Sequence, residues 1–154
     1  MTAFRFRVKF EPDPTSLWRD IVIGEERTLA EFQSALNSAI GLDQDHLWFF
    51  GTDQDYWNSD VFYKLSAEIK RSSGGLIRQD EEHAADETTI AELTRQLELG
   101  ESDRFCYLFD YGDEWRFYAI LKEIDQNRPS DAMPEVVKHK GDPVDQYGPP
   151  RERF

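Results

Sequence analysis

The stretch Phe105–Leu121, FCYLFDYGDEWRFYAIL, limits the fold more than any other part of the chain. Two dense apolar runs flank Asp110-Tyr111-Gly112-Asp113, the pattern of two strands joined by a tight turn. Gly112 is placed to take a positive φ cheaply, and Asp110 to accept hydrogen bonds from backbone N–H groups across the bend. Trp115, Phe117, Ala119 and Leu121 share one face of the second run, and Arg116, Tyr118, Ile120 and Lys122 the other. Phe105–Phe109 has no polar face, so it reads as a central strand covered on both sides. The hairpin, about 105–124, is therefore expected at the centre of a mainly antiparallel sheet. The fold class is α+β, with two or three packed helices in one domain.

The rest of the chain supplies partners for that hairpin. Ala3–Phe10 alternates: Phe4, Phe6, Val8 and Phe10 on one face, Arg5, Arg7 and Lys9 on the other, which marks a half-buried strand. After Pro12 and Pro14, Ser16–Ile23 reads as its antiparallel partner, with Leu17, Arg19, Ile21 and Ile23 on one side and Trp18 and Val22 on the other. Thr28 with Glu31 forms a capping box, Leu29, Phe32, Leu36 and Ile40 follow at helical spacing, and Gly41 suits a left-handed stop. His46–Phe50 reads as a third strand. Val61, Phe62, Leu65 and Ile69 fit either a short helix or an extended segment, and Ser72–Gly75 reads as a loop. From Asp80 to Asp103 nine carboxylates face one arginine, Arg95. Thr89 and Glu92 make a second capping box there, ahead of the stripe Ile90, Leu93, Leu97, so the acids read as a solvated helix face and its approach. The division expected is a domain over 1–125 and a proline-rich tail over 126–154, laid on the same domain through Met133, Val136, Val137 and Tyr147.

Composition excludes several classes. The 154 residues suffice for one core, and 11 Phe, 6 Tyr and 4 Trp make it rich in rings. No apolar run approaches the roughly 20 residues of a membrane helix, and no signal peptide opens the chain, so a cytoplasmic protein is expected. The single cysteine, Cys106, forms no internal disulfide and sits in an apolar strand where an inert thiol is the ordinary case. A net charge of −13 argues against direct nucleic-acid binding, no basic patch standing out in the linear sequence, and suits a basic protein partner or a surface kept soluble by like charge.

Chemistry concentrates at the turn. Asp110, Asp113 and Glu114 place three carboxylates around one bend, and His46 is the candidate fourth member of a cation site or general base. The competing reading is a turn whose acids bond to backbone amides and face water. No serine with a nucleophile motif accompanies His46, His83 or His139, and Gly74-Gly75 precedes no P-loop lysine. Trp18 and Trp115 read as packed, and Trp57 as an exposed anchor for a partner. Arg19 and Arg116 are candidates to pair with Asp20, Asp110 or Asp113. No cofactor is indicated. The leading function is a protein-interaction or ligand-binding module. Its surface would be one sheet face with the acidic stretch from Asp80 to Glu87 and the tail. The alternative is a metal-dependent enzyme built on Asp110, Asp113, Glu114 and His46.

Trp18-Arg19, Thr28-Leu29, Ile40-Gly41, His46-Leu47 with Phe50, and above all Tyr107-x-Phe109-Asp110-Tyr111-Gly112-Asp113-Glu114-Trp115 resemble the plasmid pRiA4b ORF-3-like family, also labelled insertion-element passenger proteins. The resemblance runs from about Phe4 to Tyr147. It implies a single α+β domain, an uncharacterised biochemical role and a mobile-element association. The resolvase-like label used for some members finds no recombinase nucleophile with an arginine cluster here. Three departures remove potential ligands: Phe117 stands where a histidine often follows the Trp-x pair, Gln33 where the helix often has histidine, and Gly141–Tyr147 where many members carry an acidic, cysteine-containing motif.

Overall fold

A computed structural model of the chain describes residues 1–52, 56–72, 81–144 and 146, with only the backbone of 71 and 72. One eight-stranded sheet organises them, in the order β5-β4-β3-β6-β7-β1-β2-β8. The strands are β1 (Ala3–Phe10), β2 (Trp18–Gly24), β3 (Trp48–Gly51), β4 (Val61–Lys64), β5 (Glu81–Ala84), β6 (Arg104–Phe109), β7 (Trp115–Asp125) and β8 (Glu135–Lys140). The helices are α1 (Leu29–Ile40), α2 (Ser66–Ser72) and α3 (Ile90–Gln96), with a 3-10 turn at Tyr56–Asn58. All strand pairs are antiparallel except β4 with β5. Among the described residues no helix is long and apolar enough to cross a membrane.

The hairpin of β6 and β7 lies at the centre of the sheet, with Phe109 opposite Trp115 and Arg104 opposite Ile120. Phe105 to Phe109 are all buried because β6 carries core on both faces. On the helix side, Phe105, Tyr107 and Phe109 join Phe6, Phe32, Phe50 and Trp115. On the other, Cys106 and Leu108 pack with Phe49, Tyr56 and Phe62. Rings meet edge-on within this core, as Phe6 does with Phe32 of α1 at 5.4 Å and with Phe105 of β6 at 5.6 Å.

Both capping boxes form. Thr28 Oγ1 accepts from Glu31 N at 3.2 Å and Thr89 Oγ1 from Glu92 N at 3.1 Å, while each glutamate accepts from the cap residue's own N–H. Gly41 closes α1 at φ 100°. The two helix starts are also tied together: Leu29 N donates to Thr88 O at 2.8 Å and Ile90 N to Arg27 O at 2.9 Å.

Four local expectations are corrected. The segment 61–72 is neither helix nor strand throughout: β4 runs first and α2 follows. Part of the acidic stretch is a strand, β5, paired parallel with β4 and held there in part by Lys64 Nζ to Glu82 at 2.7 Å. Met133 and Val136 are exposed rather than docked, and the segment attaches through β8, which pairs with β2 by backbone hydrogen bonds. Gly112 does not supply the left-handed residue of the turn; Asp110 (φ 67°) and Glu114 (φ 53°) do. Ser73–Gly75, Asp80 and Tyr147 lie outside the described residues.

Candidate functional site

The five-residue connection Asp110–Glu114 is fixed by its own first carboxylate. Asp110 Oδ1 accepts from Gly112 N at 3.0 Å and Asp113 N at 3.3 Å, and Glu114 N returns to Asp110 O at 2.6 Å. An aspartate bonding locally tolerates the left-handed region, which accounts for its φ. Asp110 Oδ2 faces His46 Nε2 at 3.5 Å, and the imidazole stands edge-on to Phe109 at 5.9 Å. Glu114 turns elsewhere, to Arg116 Nη2 at 2.6 Å and Trp57 Nε1 at 3.3 Å; that Arg116 bond is the main reason its carboxyl sits below the usual glutamate range. The structure thus brings His46 to Asp110 and takes Glu114 away. Among the described residues no three His, Cys, Asp or Glu side chains stand together as a metal-holding group.

Tyr107 and Trp115 face the helices and are buried. Tyr107 Oη donates to Asn37 Oδ1 at 2.6 Å and accepts from Gln33 Nε2 at 2.8 Å; Gln44 bridges the two amide side chains, at 2.8 Å from Gln33 and 2.9 Å from Asn37. Burial pushes the phenol well above its ordinary pKa, so it stays protonated and keeps its donor. Two of the departing positions meet here: Gln33 bonds the phenol, and the Phe117 ring lies 6.0 Å from that of Tyr107. The third segment comes close behind, as Gln146 Oε1 accepts from Asp43 N at 2.7 Å and Asn37 Nδ2 donates to Asp43 O at 3.0 Å. Side chains from three distant parts of the chain close one polar network under α1. Tyr107→Phe removes the donor to Asn37 and should cost about 1–3 kcal/mol, the penalty for a buried polar atom left without its partner. Urea denaturation reads this as a lower midpoint at constant slope, and an unchanged midpoint would refute the network's stabilising role.

Trp18 and Arg19 project to opposite sides of β2. Arg19 is buried on the helix side and donates to four carbonyls: Ala39 (3.0 Å), Trp18 (2.9 Å), Lys140 (2.8 Å) and Gly141 (2.9 Å). It pairs with none of the aspartates expected for it. Trp18 is half-buried rather than packed in the core, with the Arg7 guanidinium 3.9 Å from its ring centroid. Asp20, fully buried, accepts from Arg7 Nε at 2.7 Å and Arg5 Nη2 at 2.6 Å. Trp57 is 43% exposed, with its ring 5.0 Å from Phe49 and 4.9 Å from Tyr111.

The sheet face carrying Trp18 was not foreseen as a unit. Opposite the helices, α2 and the 3-10 turn cover its β3–β6 end and the start of β7: Tyr111 Oη reaches Glu68 at 2.6 Å and Tyr56 Oη reaches Phe117 O at 2.9 Å. The β7-β1-β2-β8 end stays open, with Arg7, Lys9, Trp18, Tyr118 and Ile120 half-exposed. Strand register puts Arg5, Arg7 and Lys9 of β1 on this face, with Arg104 and Arg116 of the hairpin and Lys138 and Lys140 of β8. Its acids are Asp20, Glu123 and Glu135, with Glu11 opposite Arg116 and Glu114 bonded to it. A cleft of about 230 Å³ opens at its margin between Glu11, Tyr56, Arg104 and Tyr118. The alternation of β1 was the only sequence signal for this face.

Comparison with known proteins settles the family. The profile of the plasmid pRiA4b ORF-3-like proteins matches residues 2–150. The chain belongs to that family. The pRiA4b ORF-3-like domain is also similar in structure to a protein of unknown function from Methanosarcina mazei Go1, solved by crystallography, with a TM-score of 0.65, 14% identity, 90% of this chain and 68% of that one covered. At that identity the likeness concerns the fold. Among curated proteins none matches the pRiA4b ORF-3-like chain.

Proposed function

We propose that the protein is a binding module that takes an extended anionic partner on the open face of its sheet. The observation that carries this reading is the charge of that face. A chain of net charge −13 collects seven basic side chains there against five acidic ones. Arg5 and Arg7 share Asp20, and Arg116 is held by Glu114. Lys9, Arg104, Lys138 and Lys140 enter no ion pair among the described residues, so their charge is available to a partner. Charges more than about 8–10 Å away are screened at physiological salt, so the local patch decides what docks there. The acids that suit a basic partner, Glu81, Glu82, Asp86 and Glu87, gather around β5 at the far end of the sheet. A single cysteine, unable to form an internal disulfide, fits a reducing cytoplasm.

The metal-dependent alternative has less support, because Glu114 is committed to Arg116 and Asp110 Oδ1 to the turn. The test is backbone NMR of the full chain titrated with short poly-L-glutamate and, separately, with oligothymidylate. Shifts are expected on β1, β2, β7 and β8 with at least one probe, and Lys9→Glu with Lys138→Glu should remove them. Perturbation with neither probe, or perturbation only elsewhere, would overturn the reading.

A further inference from the structure

We infer that the anionic partner is a single-stranded nucleic acid, an inference that rests on the binding face proposed above and names its occupant. The argument is the order of side chains across the strands. One row reads Tyr118, Lys9, Trp18, Lys140, each opposite the next in the register of β7, β1, β2 and β8. Neighbouring strands lie about 4.8 Å apart, so ring, cation, ring and cation follow at that interval and the two rings stand about 10 Å from each other. The next row, Arg104, Ile120, Arg7, Asp20, Lys138, adds cations at both ends and an apolar contact between them.

An acidic peptide would need the cations and gain little from the rings. A single strand needs both: phosphates to neutralise, and unpaired bases whose faces seek flat partners. A guanidinium lies over each ring, Arg7 at 3.9 Å from Trp18 and Arg104 at 5.0 Å from Tyr118, and Lys138 Nζ lies 5.9 Å from the Trp18 ring. An arginine plane over a ring is itself a surface on which a base stacks. Duplex DNA is a poorer match, since its bases are already stacked and a flat sheet face enters neither groove. The charge elsewhere on the chain opposes any polyanion, and the interaction is accordingly short-ranged and salt-sensitive.

Fluorescence anisotropy of the full chain with labelled oligothymidylate and oligouridylate, a DNA duplex and poly-L-glutamate tests this. Single strands should bind roughly tenfold or more tighter than poly-L-glutamate of equal charge, the size expected for one or two stacked bases. If Lys9, Arg104, Lys138 and Lys140 each neutralise one phosphate, log K against log salt should fall with a slope of about −3. Trp18→Ala should weaken single-strand binding roughly tenfold and leave poly-L-glutamate unchanged, while Trp18→Phe restores most of it. Tyr118→Leu, which leaves the Arg7 and Asp20 cluster intact, repeats the test should Trp18→Ala unfold. Equal binding of poly-L-glutamate and single strands, tighter binding of the duplex, or ring variants without effect would overturn the inference and leave the anion-binding face standing. Failure of every polyanion would remove both.

Discussion

Trp115→Ala is expected to lower stability by about 3–5 kcal/mol, the range for truncating a fully buried aromatic to alanine. Trp115 begins β7 opposite Phe109 and is 1% exposed, with the Phe10 ring 6.0 Å away. Its loss opens a cavity at the mouth of the central hairpin, where β1 and β6 both converge on β7, so little local collapse can fill it. Chemical denaturation should show the midpoint shift with the slope retained. A near-neutral result would mean that the helix side of β7 is not the tightly packed side.

The second large effect belongs to Asp20. Burial alone would raise its pKa, but hydrogen bonds and charge from Arg7 and Arg5 outweigh burial and hold the carboxyl below the ordinary aspartate value. A depressed folded-state pKa means that the unfolded chain binds the proton more readily. The stabilisation from this carboxylate is therefore complete above the unfolded pKa and is lost as pH falls through the folded one. Asp20→Ala strands two guanidinium groups against each other on a half-covered face and should cost about 3–5 kcal/mol near neutral pH, as for other buried pairs broken on one side. The same variant should lose less further stability than the parent as pH drops below about 4. Parallel urea titrations at neutral and acid pH check both points, and identical acid sensitivity in the two proteins would exclude Asp20 as the titrating group.

Local rules were readable where one segment contains its own answer. Thr28 with Glu31 and Thr89 with Glu92 each need three residues, and both caps form as the pattern requires. The apolar alternation of β1 and β7 assigned their buried faces correctly. Segments whose partners lie far away were not readable. Glu81–Ala84 has no apolar period and is a strand only because β4 pairs with it in parallel. Glu135–Lys140 is mostly exposed and is held by the backbone of β2, which leaves no hydrophobic signature. At the turn, glycine was the obvious carrier of a positive φ, yet a local carboxylate hydrogen bond made Asp110 the residue that bears it.

The same distinction governs the site. Asp110 was found because its bonds run two and three residues onward. The link of Tyr107 with Gln33 and Asn37 spans 74 and 70 positions, and no spacing rule reaches that far. The open face is assembled from strands at both ends of the chain, so its charge becomes visible only once register is known.

Arg19 sets a boundary on how the polypeptide can be divided. One guanidinium serves the last turn of α1 through Ala39, its own strand through Trp18, and the exit of β8 through Lys140 and Gly141. Cutting the chain at Asp125 would leave that cation indoors with half its acceptors gone, so the segment that carries β8 and Gly141 is a structural component and not an appendage. Any minimal fragment made for binding work has to carry it.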